Sequence, residues 1–326
     1  MKNSFSFTCG DVNGIGPEIV IKSLNKVYSK NKYNHIFICP HNVFENTLNI
    51  VQPTFPYKKV NRLPDKISTA EVLILNIGSV KQSLGSVKGS AGKIAYNSIL
   101  KACNLASNKI VNGIITAPIS KEAFKKGNID FPGHTELLAD FFNVKDFAMM
   151  FVSNKMKAAL ATIHIPIKDI PKNIKLNRLN NIGNVISKSL VEDFKIKSPK
   201  IAMLGLNPHA GENGNIGSEE INVISKFIKS NKKYFHGPFV PDAFFGNRHY
   251  KNYDCTIGMY HDQILIPFKL LNFNRGVNYT AGLPIVRTSP DHGTAFDIAG
   301  KGIAKPESMI EAFKYANKIV DSRNKK

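Results

Sequence analysis

The sequence predicts an α/β protein in which part of the sheet is parallel. Short apolar runs typical of buried strands recur along the chain, and helical patterns lie between several of them. The length of 326 residues suits two domains or one α/β unit with two lobes. We therefore expect a layered α/β architecture with polar side chains at the ends of its strands.

The predicted elements follow in chain order. Strands are expected at 5–8, 35–39, 72–75, 113–116, 148–152, 158–163 and 201–206, and the main helices at 91–109, 177–193, 219–230 and 306–320. After the first strand, three glycines permit a tight turn, and Pro17 suits the first turn of a helix. This turn lacks the Gly-x-Gly-x-x-Gly dinucleotide fingerprint, which disfavours a standard Rossmann loop. The Lys-rich end, Arg-Asn-Lys-Lys, is expected to be a frayed tail.

Composition limits the classes of protein to which the chain can belong. No apolar run approaches the roughly 18 residues that span a bilayer, and the N-terminus lacks the apolar core of a signal peptide. We expect a soluble, cytoplasmic protein. The cysteines lie far apart without a Cys-x-x-Cys pair, which indicates buried free thiols. They are Cys9, Cys39, Cys103 and Cys255.

The net charge of +20 raises the question of a nucleic-acid partner. The chain has 38 Lys and only 6 Arg, scattered without an Arg-rich block. Surfaces that read nucleic-acid sequence favour Arg, because its guanidinium makes two parallel hydrogen bonds. A general bias towards Lys and Asn explains the charge, so we expect neither a nucleic-acid nor a membrane partner. An RNA-binding module remains the alternative from a different class.

Three histidines follow predicted strands in the same manner, the third after a further strand that is expected before Met259. They are His164 in Thr-Ile-His-Ile-Pro, His209 in Asn-Pro-His-Ala-Gly and His261 in Met-Tyr-His-Asp-Gln. Three neutral imidazoles can form a facial ligand set for a divalent cation, with positions open for substrate oxygens. Because such histidines are often hydrogen-bonded structural residues, spacing alone leaves both interpretations open. Asp242 and Asp262 are candidates for orienting the ligands.

Two cations are candidates for holding a phosphate or carboxylate. Arg287 would bind it through two hydrogen bonds and Lys269 as a point charge. Lys269 lies in the apolar run Ile-Pro-Phe-Lys-Leu-Leu, where a charge needs a partner. The other interpretation is a pair of solvated surface cations. His134 and Thr135 stand at a predicted helix start in Gly-His-Thr-Glu.

A glycine-rich segment follows Arg287. Residues 291–302 place His292, Thr294 and Asp297 among small residues. This composition is typical of a loop that lets a flat ring or a phosphate approach the backbone, and equally of an ordinary turn.

Six motifs stand in an order that resembles one family. They are Gly-Asp-Val-Asn-Gly-Ile-Gly-Pro-Glu, Thr-Ala-Pro-Ile-Ser-Lys, Gly-His-Thr-Glu, Gly-Leu-Asn-Pro-His-Ala-Gly-Glu, Met-Tyr-His-Asp-Gln and Arg-Thr-Ser-Pro-Asp-His-Gly-Thr-Ala. Over nearly its whole length the sequence resembles the 4-hydroxythreonine-4-phosphate dehydrogenase family of pyridoxal phosphate (vitamin B6) biosynthesis. The segment at 291–301 also resembles the adenosine-binding loop of isocitrate and isopropylmalate dehydrogenases. Their two-lobed α/β/α fold, with the active site in the interlobe cleft, is therefore implied.

The resemblance implies roles for particular residues. A divalent metal, zinc, magnesium or cobalt, would be held by His164, His209 and His261 in a site shared between the partners of a homodimer. Substrate contacts would fall to His134, Thr135, Lys269, Asn278 and Arg287. NAD or NADP would contact His292, Thr294 and Asp297. Residues 1–133 and 280–326 would form the cofactor lobe, and residues 134–279 the lobe for metal, substrate and dimerisation.

The implied reaction is the NAD(P)- and metal-dependent oxidation of 4-phosphohydroxy-L-threonine to 2-amino-3-oxo-4-phosphooxybutanoate, which decarboxylates to 3-amino-2-oxopropyl phosphate. The sequence assigns no residue as proton acceptor. The same anion-binding residues would serve a sister activity on threonate or erythronate 4-phosphate, and a metal-dependent hydrolase or aldolase is a further alternative.

Two residues depart from the family pattern. Asn13 stands in place of a small residue, and Ile264 in place of the glycine after His-Asp-Gln. The second could shift the backbone beside His261, because isoleucine does not readily adopt a positive φ.

Overall fold

The computed structural model describes residues 2–272 and 275–325, and its elements are numbered along the chain. The strands are β1 Ser4–Thr8, β2 Asn34–Ile38, β3 Tyr57–Val60, β4 Val72–Leu75, β5 Gly113–Thr116, β6 Ala148–Val152, β7 Lys157–Leu160, β8 Ile201–Leu204, β9 Phe235–Phe239, β10 Cys255–Gly258, β11 Val277–Ala281 and β12 Val286–Pro290. The α-helices are α1 Gly16–Val27, α2 His41–Leu48, α3 Gly89–Ser107, α4 Lys121–Lys126, α5 His134–Phe141, α6 Ile170–Asn173, α7 Leu176–Glu192, α8 Ser225–Ser230, α9 Pro241–Gly246, α10 His261–Asn272 and α11 Glu307–Asn324.

The chain divides into two compact units. The first consists of Met1–Asn143 and Leu283–Asp321, and the second of Val144–Gly282 and Ser322–Lys326. The boundaries predicted from the sequence lie after residues 133 and 279. Helix α5, with His134 and Thr135, therefore belongs to the first unit.

The first unit contains a parallel sheet with the strand order β3-β4-β2-β1-β5-β12. The residues of β1, β4 and β5 are buried throughout, as expected for parallel strands covered on both faces. Parallel strands direct their carboxyl ends to one edge, where the segments that follow them meet. Accordingly, Asp11 N after β1 donates a 2.8 Å hydrogen bond to the carbonyl of Pro118 after β5.

The second unit has the strand order β11-β6-β7-β10-β8-β9. The β11–β6 and β6–β7 pairs are antiparallel, and the β7–β10, β10–β8 and β8–β9 pairs are parallel. Helix α10 contributes Ile264, Leu265 and Phe268 to a buried apolar core that also contains Leu160 of β7 and Leu204 of β8. Its other face remains exposed.

Arg323 and Asn324, the first two residues of the expected frayed tail, lie in α11. Arg323, in the last turn of α11, donates a 2.7 Å hydrogen bond from Nε to Asp193 Oδ1 and one of 3.1 Å from Nη2 to Tyr279 Oη. The buried Asp193 carboxylate also accepts hydrogen bonds from Tyr279 Oη and from Ser189 Oγ. A buried carboxylate needs such partners, and one of them comes from the end of the chain.

The predicted α/β class is confirmed, and each predicted strand overlaps an observed one. Within residues 2–272 and 275–325, no helix combines the length and the apolar character needed to cross a membrane. All four cysteines are buried and free.

Candidate active site

The first candidate cluster surrounds Arg287 in the first unit. Arg287 lies on β12 in register with Ile114 of β5, and only 2% of its surface is exposed. Its Nε and Nη2 donate hydrogen bonds of 3.1 and 2.7 Å to Thr116 Oγ1. Burial lowers the pKa of the guanidinium to about 10, against the opposite effects of Glu136 and Cys103. The sheet therefore holds a buried group that remains positively charged at neutral pH.

His134 and Thr135 open α5 within the electrostatic reach of Arg287. Burial and the charge of Arg287 hold the pKa of His134 well below its usual range, against a hydrogen bond with the Ala117 backbone. The imidazole is therefore neutral at pH 7. Its Nε2 is buried and has no hydrogen-bond partner among the described residues, and Thr135 is also buried. Because a buried polar atom without a partner costs free energy, this position suits a ligand that supplies the missing hydrogen bond.

The other two predicted substrate contacts, Lys269 and Asn278, lie in the second unit. Lys269 is exposed on α10 next to the fully buried Phe268. The apolar run around Lys269 forms an amphipathic helix, and the exposure of this lysine is that of the alternative interpretation, a solvated surface cation. Asn278 on β11 is half-buried, and its Oδ1 is buried without a partner among the residues that the structure describes.

The second candidate cluster is a pair of histidines after β7 and β10. The centroids of the His164 and His261 rings lie 5.6 Å apart. The segments that carry these histidines are joined by two hydrogen bonds. Thr162 Oγ1 donates one of 2.6 Å to the carbonyl of Met259, and Thr162 N donates one of 3.2 Å to the same carbonyl. His164 is exposed and His261 is half-buried. Two imidazoles at this separation can both contribute nitrogen ligands to one ion.

The two aspartates proposed to orient these ligands differ in position. Asp262 Oδ1 lies 2.7 Å from His261 Nδ1 and accepts a hydrogen bond from it when that nitrogen carries the proton. This contact would leave Nε2 as the ligand atom of His261. Asp242 is exposed in the first turn of α9.

The third histidine, His209, lies in a left-handed turn. Five successive residues, 209–213, have φ between 42° and 79°, and only one of them is glycine. This conformation costs a non-glycine residue about 1–2 kcal/mol, so the surroundings must hold the segment in place. The imidazole is exposed.

A complete metal site is not preformed in the part of the chain that the structure describes. No group of three or more His, Cys, Asp or Glu side chains there is placed to hold a metal ion. Catalytic zinc sites use three protein ligands, and the His164–His261 pair supplies two. The three-histidine ligand set therefore stays a prediction.

The predicted cofactor residues lie on a segment that contacts the turn after β1. Ile15 N donates a 3.0 Å hydrogen bond to the carbonyl of Thr294, within the first unit. His292 Nδ1 lies 3.1 Å from the carbonyl of Gly293, while its Nε2 is buried without a partner among the described residues. Asp297 is exposed. The backbone proximity expected of a ligand-binding loop is present, and the role of these residues stays a prediction.

An ion pair that has no predicted role fixes the end of this segment. Lys22 Nζ donates hydrogen bonds of 2.7 Å to Glu18 Oε1 and to the carbonyl of Gly302, and one of 2.8 Å to the carbonyl of Ala304. Glu18 Oε1 also accepts a 3.0 Å hydrogen bond from Ala304 N. The only signal in the sequence is the spacing of Glu18 and Lys22 by one helical turn on α1.

Gln263 is a second residue without a predicted role. Its Oε1 accepts a 2.7 Å hydrogen bond from Met259 N, and its Nε2 donates one of 2.7 Å to the carbonyl of Gly205. The side chain therefore joins the segments that follow β10 and β8. His261 and His209 lie on these two segments.

Both residues that depart from the family pattern are buried. Asn13 is fully buried, accepts a 2.8 Å hydrogen bond from Ser83 N and donates one of 3.0 Å to the carbonyl of Ser86. Ile264 lies within α10 and is fully buried in the core of the second unit. The positive φ considered in the sequence analysis does not arise. A Cβ at Gly258 would overlap Ile264 Cγ1, so the isoleucine occupies the space beside that glycine.

Comparisons with known proteins extend over almost the whole chain. A 4-hydroxythreonine-4-phosphate dehydrogenase of Sulfurihydrogenibium sp. (strain YO3AOP1) is 38% identical over 314 residues, which cover 95% of this chain and 96% of the relative. A D-threonate 4-phosphate dehydrogenase of Pectobacterium atrosepticum is also 38% identical, over 98% of this chain and 100% of the relative. The crystal structure of a 4-hydroxythreonine-4-phosphate dehydrogenase from Klebsiella pneumoniae is 36% identical, with a TM-score of 0.85 and 98% of each chain covered.

The fold extends to a more distant enzyme. A terephthalate 1,2-cis-dihydrodiol dehydrogenase from Burkholderia xenovorans superposes with a TM-score of 0.64 at 21% identity, over 98% of each chain, which is a likeness of fold alone. The family described as "Pyridoxal phosphate biosynthetic protein PdxA" matches residues 31–316. The chain therefore belongs to the PdxA family of pyridoxal phosphate biosynthetic proteins.

Proposed function

We propose that the chain is a dehydrogenase of vitamin B6 biosynthesis that oxidises 4-phosphohydroxy-L-threonine with NAD or NADP and a divalent metal. The product, 2-amino-3-oxo-4-phosphooxybutanoate, then decarboxylates to 3-amino-2-oxopropyl phosphate. Support for the reaction class comes from the names of the full-length relatives.

The observation that carries the substrate class is the buried guanidinium of Arg287. A substrate with a phosphate and a carboxylate needs a charged group that water does not screen, and Arg287 is 2% exposed and oriented by Thr116. The neutral ring of His134 adds a buried Nε2 that can donate or accept one hydrogen bond. Lys269 and Asn278 are proposed as further contacts on the second unit.

The His164–His261 pair is the proposed core of the metal site, with His209 as the third ligand. Asp262 would fix the tautomer of His261 so that Nε2 faces the ion. The metal, zinc, magnesium or cobalt, would supply Lewis acidity at the substrate hydroxyl that is oxidised. The nicotinamide cofactor is proposed to contact His292, Thr294 and Asp297.

A homodimer is proposed as the working form. Ile266 and Leu270 lie one turn apart on α10 and are 59% and 80% exposed, which is unusual for large apolar side chains on one helix face. A second copy of the chain would cover this face. Because α10 begins at His261 and also carries Lys269, the dimer interface would then adjoin the proposed metal and substrate residues.

The direct test is NAD⁺ reduction with 4-phosphohydroxy-L-threonine, before and after treatment with a chelator and after addition of zinc, magnesium or cobalt. We expect turnover that the chelator abolishes and that added metal restores. Full turnover after chelation would contradict the role of the histidines. Absence of turnover with every metal, with both NAD and NADP, would contradict the proposed reaction.

The second candidate is the oxidation of a four-carbon sugar-acid phosphate. It is favoured by the Pectobacterium relative, which carries the name D-threonate 4-phosphate dehydrogenase and is as similar as the first relative described. The two substrates differ in the group on C2, an amine against a hydroxyl. The ratio of kcat/KM for 4-phosphohydroxy-L-threonine and D-threonate 4-phosphate therefore decides between them.

A further inference from the structure

We propose that Glu220 is the positioning residue that holds the left-handed turn of His209 in place. The inference rests on the proposed function, because that function gives His209 its role as a ligand. Glu220 lies 11 residues beyond His209 in the chain and is only 2% exposed. A buried carboxylate requires hydrogen bonds from its surroundings, and the position of its partners shows what it stabilises.

Both carboxylate oxygens of Glu220 accept hydrogen bonds from the segment that leads into the turn. Oε1 accepts the backbone N–H groups of Leu206 at 2.7 Å and of Asn207 at 2.8 Å. Oε2 accepts Asn207 Nδ2 at 3.0 Å. Hydrogen bonds to a charged acceptor are roughly twice as strong as neutral ones, so this contact fixes the chain just before His209.

The turn itself also packs against the same carboxylate. A Cβ added to Gly211, in the middle of the left-handed segment, would lie 2.6 Å from Glu220 Oε2. A Cβ added to Gly205, directly after β8, would lie 3.2 Å from Glu220 Oε1. The carboxylate therefore lies between the exit of β8 and the middle of the turn. The His209 segment connects these two points.

Local helix geometry brings the carboxylate to this place. Glu220 is the first residue of a π-helical turn, Glu220–Ile224, that precedes α8. Short π-helical segments inside helices occur frequently at functional sites. The predicted helix at 219–230 therefore begins with a wider turn than an α-helix.

Glu219 provides a matched control. Its Oε2 accepts a 2.8 Å hydrogen bond from Asn207 Nδ2, and its side chain is less buried than that of Glu220. Glu219→Gln and Glu220→Gln remove the same charge one residue apart. Only Glu220→Gln removes the charged acceptor of the backbone amides before His209.

The experiment compares the full chain with Glu220→Ala, Glu220→Gln and Glu219→Gln. Hydrogen exchange of the Leu206 and Asn207 amides, followed by NMR, reports the positioning directly and requires neither metal nor substrate. We expect faster exchange in Glu220→Ala, a smaller change in Glu220→Gln, because its remaining oxygen can still accept the two amides, and no change in Glu219→Gln.

Titration with cobalt(II) alone, followed by its visible absorption, reports the consequence for His209. We expect the affinity to fall about 10–100-fold in Glu220→Ala, as is typical when a residue that orients a metal ligand is removed. Glu220→Gln should retain part of the affinity, and Glu219→Gln should bind cobalt as the unchanged chain does. A purely structural role would lower the thermal stability without this graded change in affinity.

The outcomes separate the inference from the proposed function. Unchanged exchange at Leu206 and Asn207 in Glu220→Ala would overturn the positioning role. If the unchanged chain binds cobalt and every variant binds it with the same affinity, the positioning role is overturned as well. If the unchanged chain bound no cobalt, the metal site of the proposed function would fail, and the exchange data would still decide the role of Glu220. If Glu220→Ala does not fold, Glu220→Gln provides the comparison with Glu219→Gln.

Discussion

Arg287 and the Nε2 atom of His134 in the first unit are buried, whereas the side chains of His164 and His209 in the second unit are exposed. The guanidinium stays charged at neutral pH although burial lowers its pKa to about 10, and the imidazole stays neutral because burial and the charge of Arg287 lower its pKa. His164 and His209 lie on loops that follow strands, and His261 begins α10. The proposed anion-binding groups are therefore held by regular elements, β12 and α5, whereas two of the three proposed metal ligands depend on how their loops are held.

The largest expected effect is the loss of the buried charge in the first cluster. Arg287→Ala should lower kcat/KM for the phosphorylated substrate about 10³-fold, because removing one partner of a buried charge pair costs several kcal/mol. Arg287→Lys should recover only part of this loss, since lysine lacks the planar fork. The exposed Arg275 is the control. Steady-state kinetics make the comparison, and a similar kcat/KM for Arg287→Ala and Arg275→Ala would contradict the anion role.

Smaller losses are expected from single histidines of the second cluster. His164→Ala and His261→Ala should each lower the affinity for cobalt(II) by about 100-fold or more, since they remove a ligand and not only the group that orients it. Asp262→Asn should cause a smaller loss. Titration monitored by absorption measures these affinities. His249→Ala, at another exposed histidine, serves as the control, and equal losses there would speak against a specific site.

The packing beside the second cluster can be disrupted without replacing a histidine. Gly258→Ala should lower the free energy of unfolding by about 1–3 kcal/mol, because the new methyl group overlaps Ile264 Cγ1. In the double variant with Ile264→Ala the two losses should not add, since the second change makes room for the first. Urea denaturation measures both. Gly246→Ala, where a Cβ would meet nothing within 4 Å, should leave stability nearly unchanged, and additive losses in the double variant would contradict this explanation.

His35 provides a further comparison between buried and exposed histidines, because it is fully buried. Burial lowers the pKa of His35 from 6.5 to about 4, within a cluster of aromatic rings that includes Phe7 and Phe313. The pKa of His35 is therefore lower in the folded chain than in the unfolded chain. Folding is favoured while the imidazole is neutral, above pH 6.5, and the free energy of unfolding decreases as the pH falls from 6.5 to 4. At pH 5 the expected loss is roughly 2 kcal/mol.

Thermal or urea unfolding of His35→Leu between pH 7 and pH 4 tests this pH dependence. The variant should lose less stability on acidification than the unchanged chain. His249→Gln removes an exposed histidine and should retain the full pH dependence. Parallel stability profiles for the unchanged chain and His35→Leu would exclude His35 as the source.

Most of the predicted strands are buried ones, but the buried strands β11 and β12 were not predicted, and neither were the edge strands β3 and β9. Predicted strands such as 72–75 and 113–116 coincide with β4 and β5, because strands covered on both faces are continuous apolar runs. Strand β3 was missed because three of its four residues are exposed. An edge strand has no apolar pattern that distinguishes it from a loop.

The sequence names candidate site residues but not their geometry. It singles out Arg287, yet the guanidinium donates its hydrogen bonds to Thr116, which is 171 positions away in the chain. Such non-local pairing leaves no local pattern. The left-handed turn at 209–213 was not predicted, since Ala210 and Glu212 have right-handed helical preferences. The pair formed by Glu220 and Asn207 is therefore visible only in the structure.

The interruption of one unit by the other has a consequence for synthesis on the ribosome. Strand β12, the neighbour of β5, comes from residues that are translated only after the whole segment Val144–Gly282. Arg323, the partner of Asp193, is likewise translated only after the segment Val144–Gly282. During translation each unit therefore lacks a structural partner until residues beyond Gly282 have been made. We infer that the two units do not complete their folding one after the other in chain order.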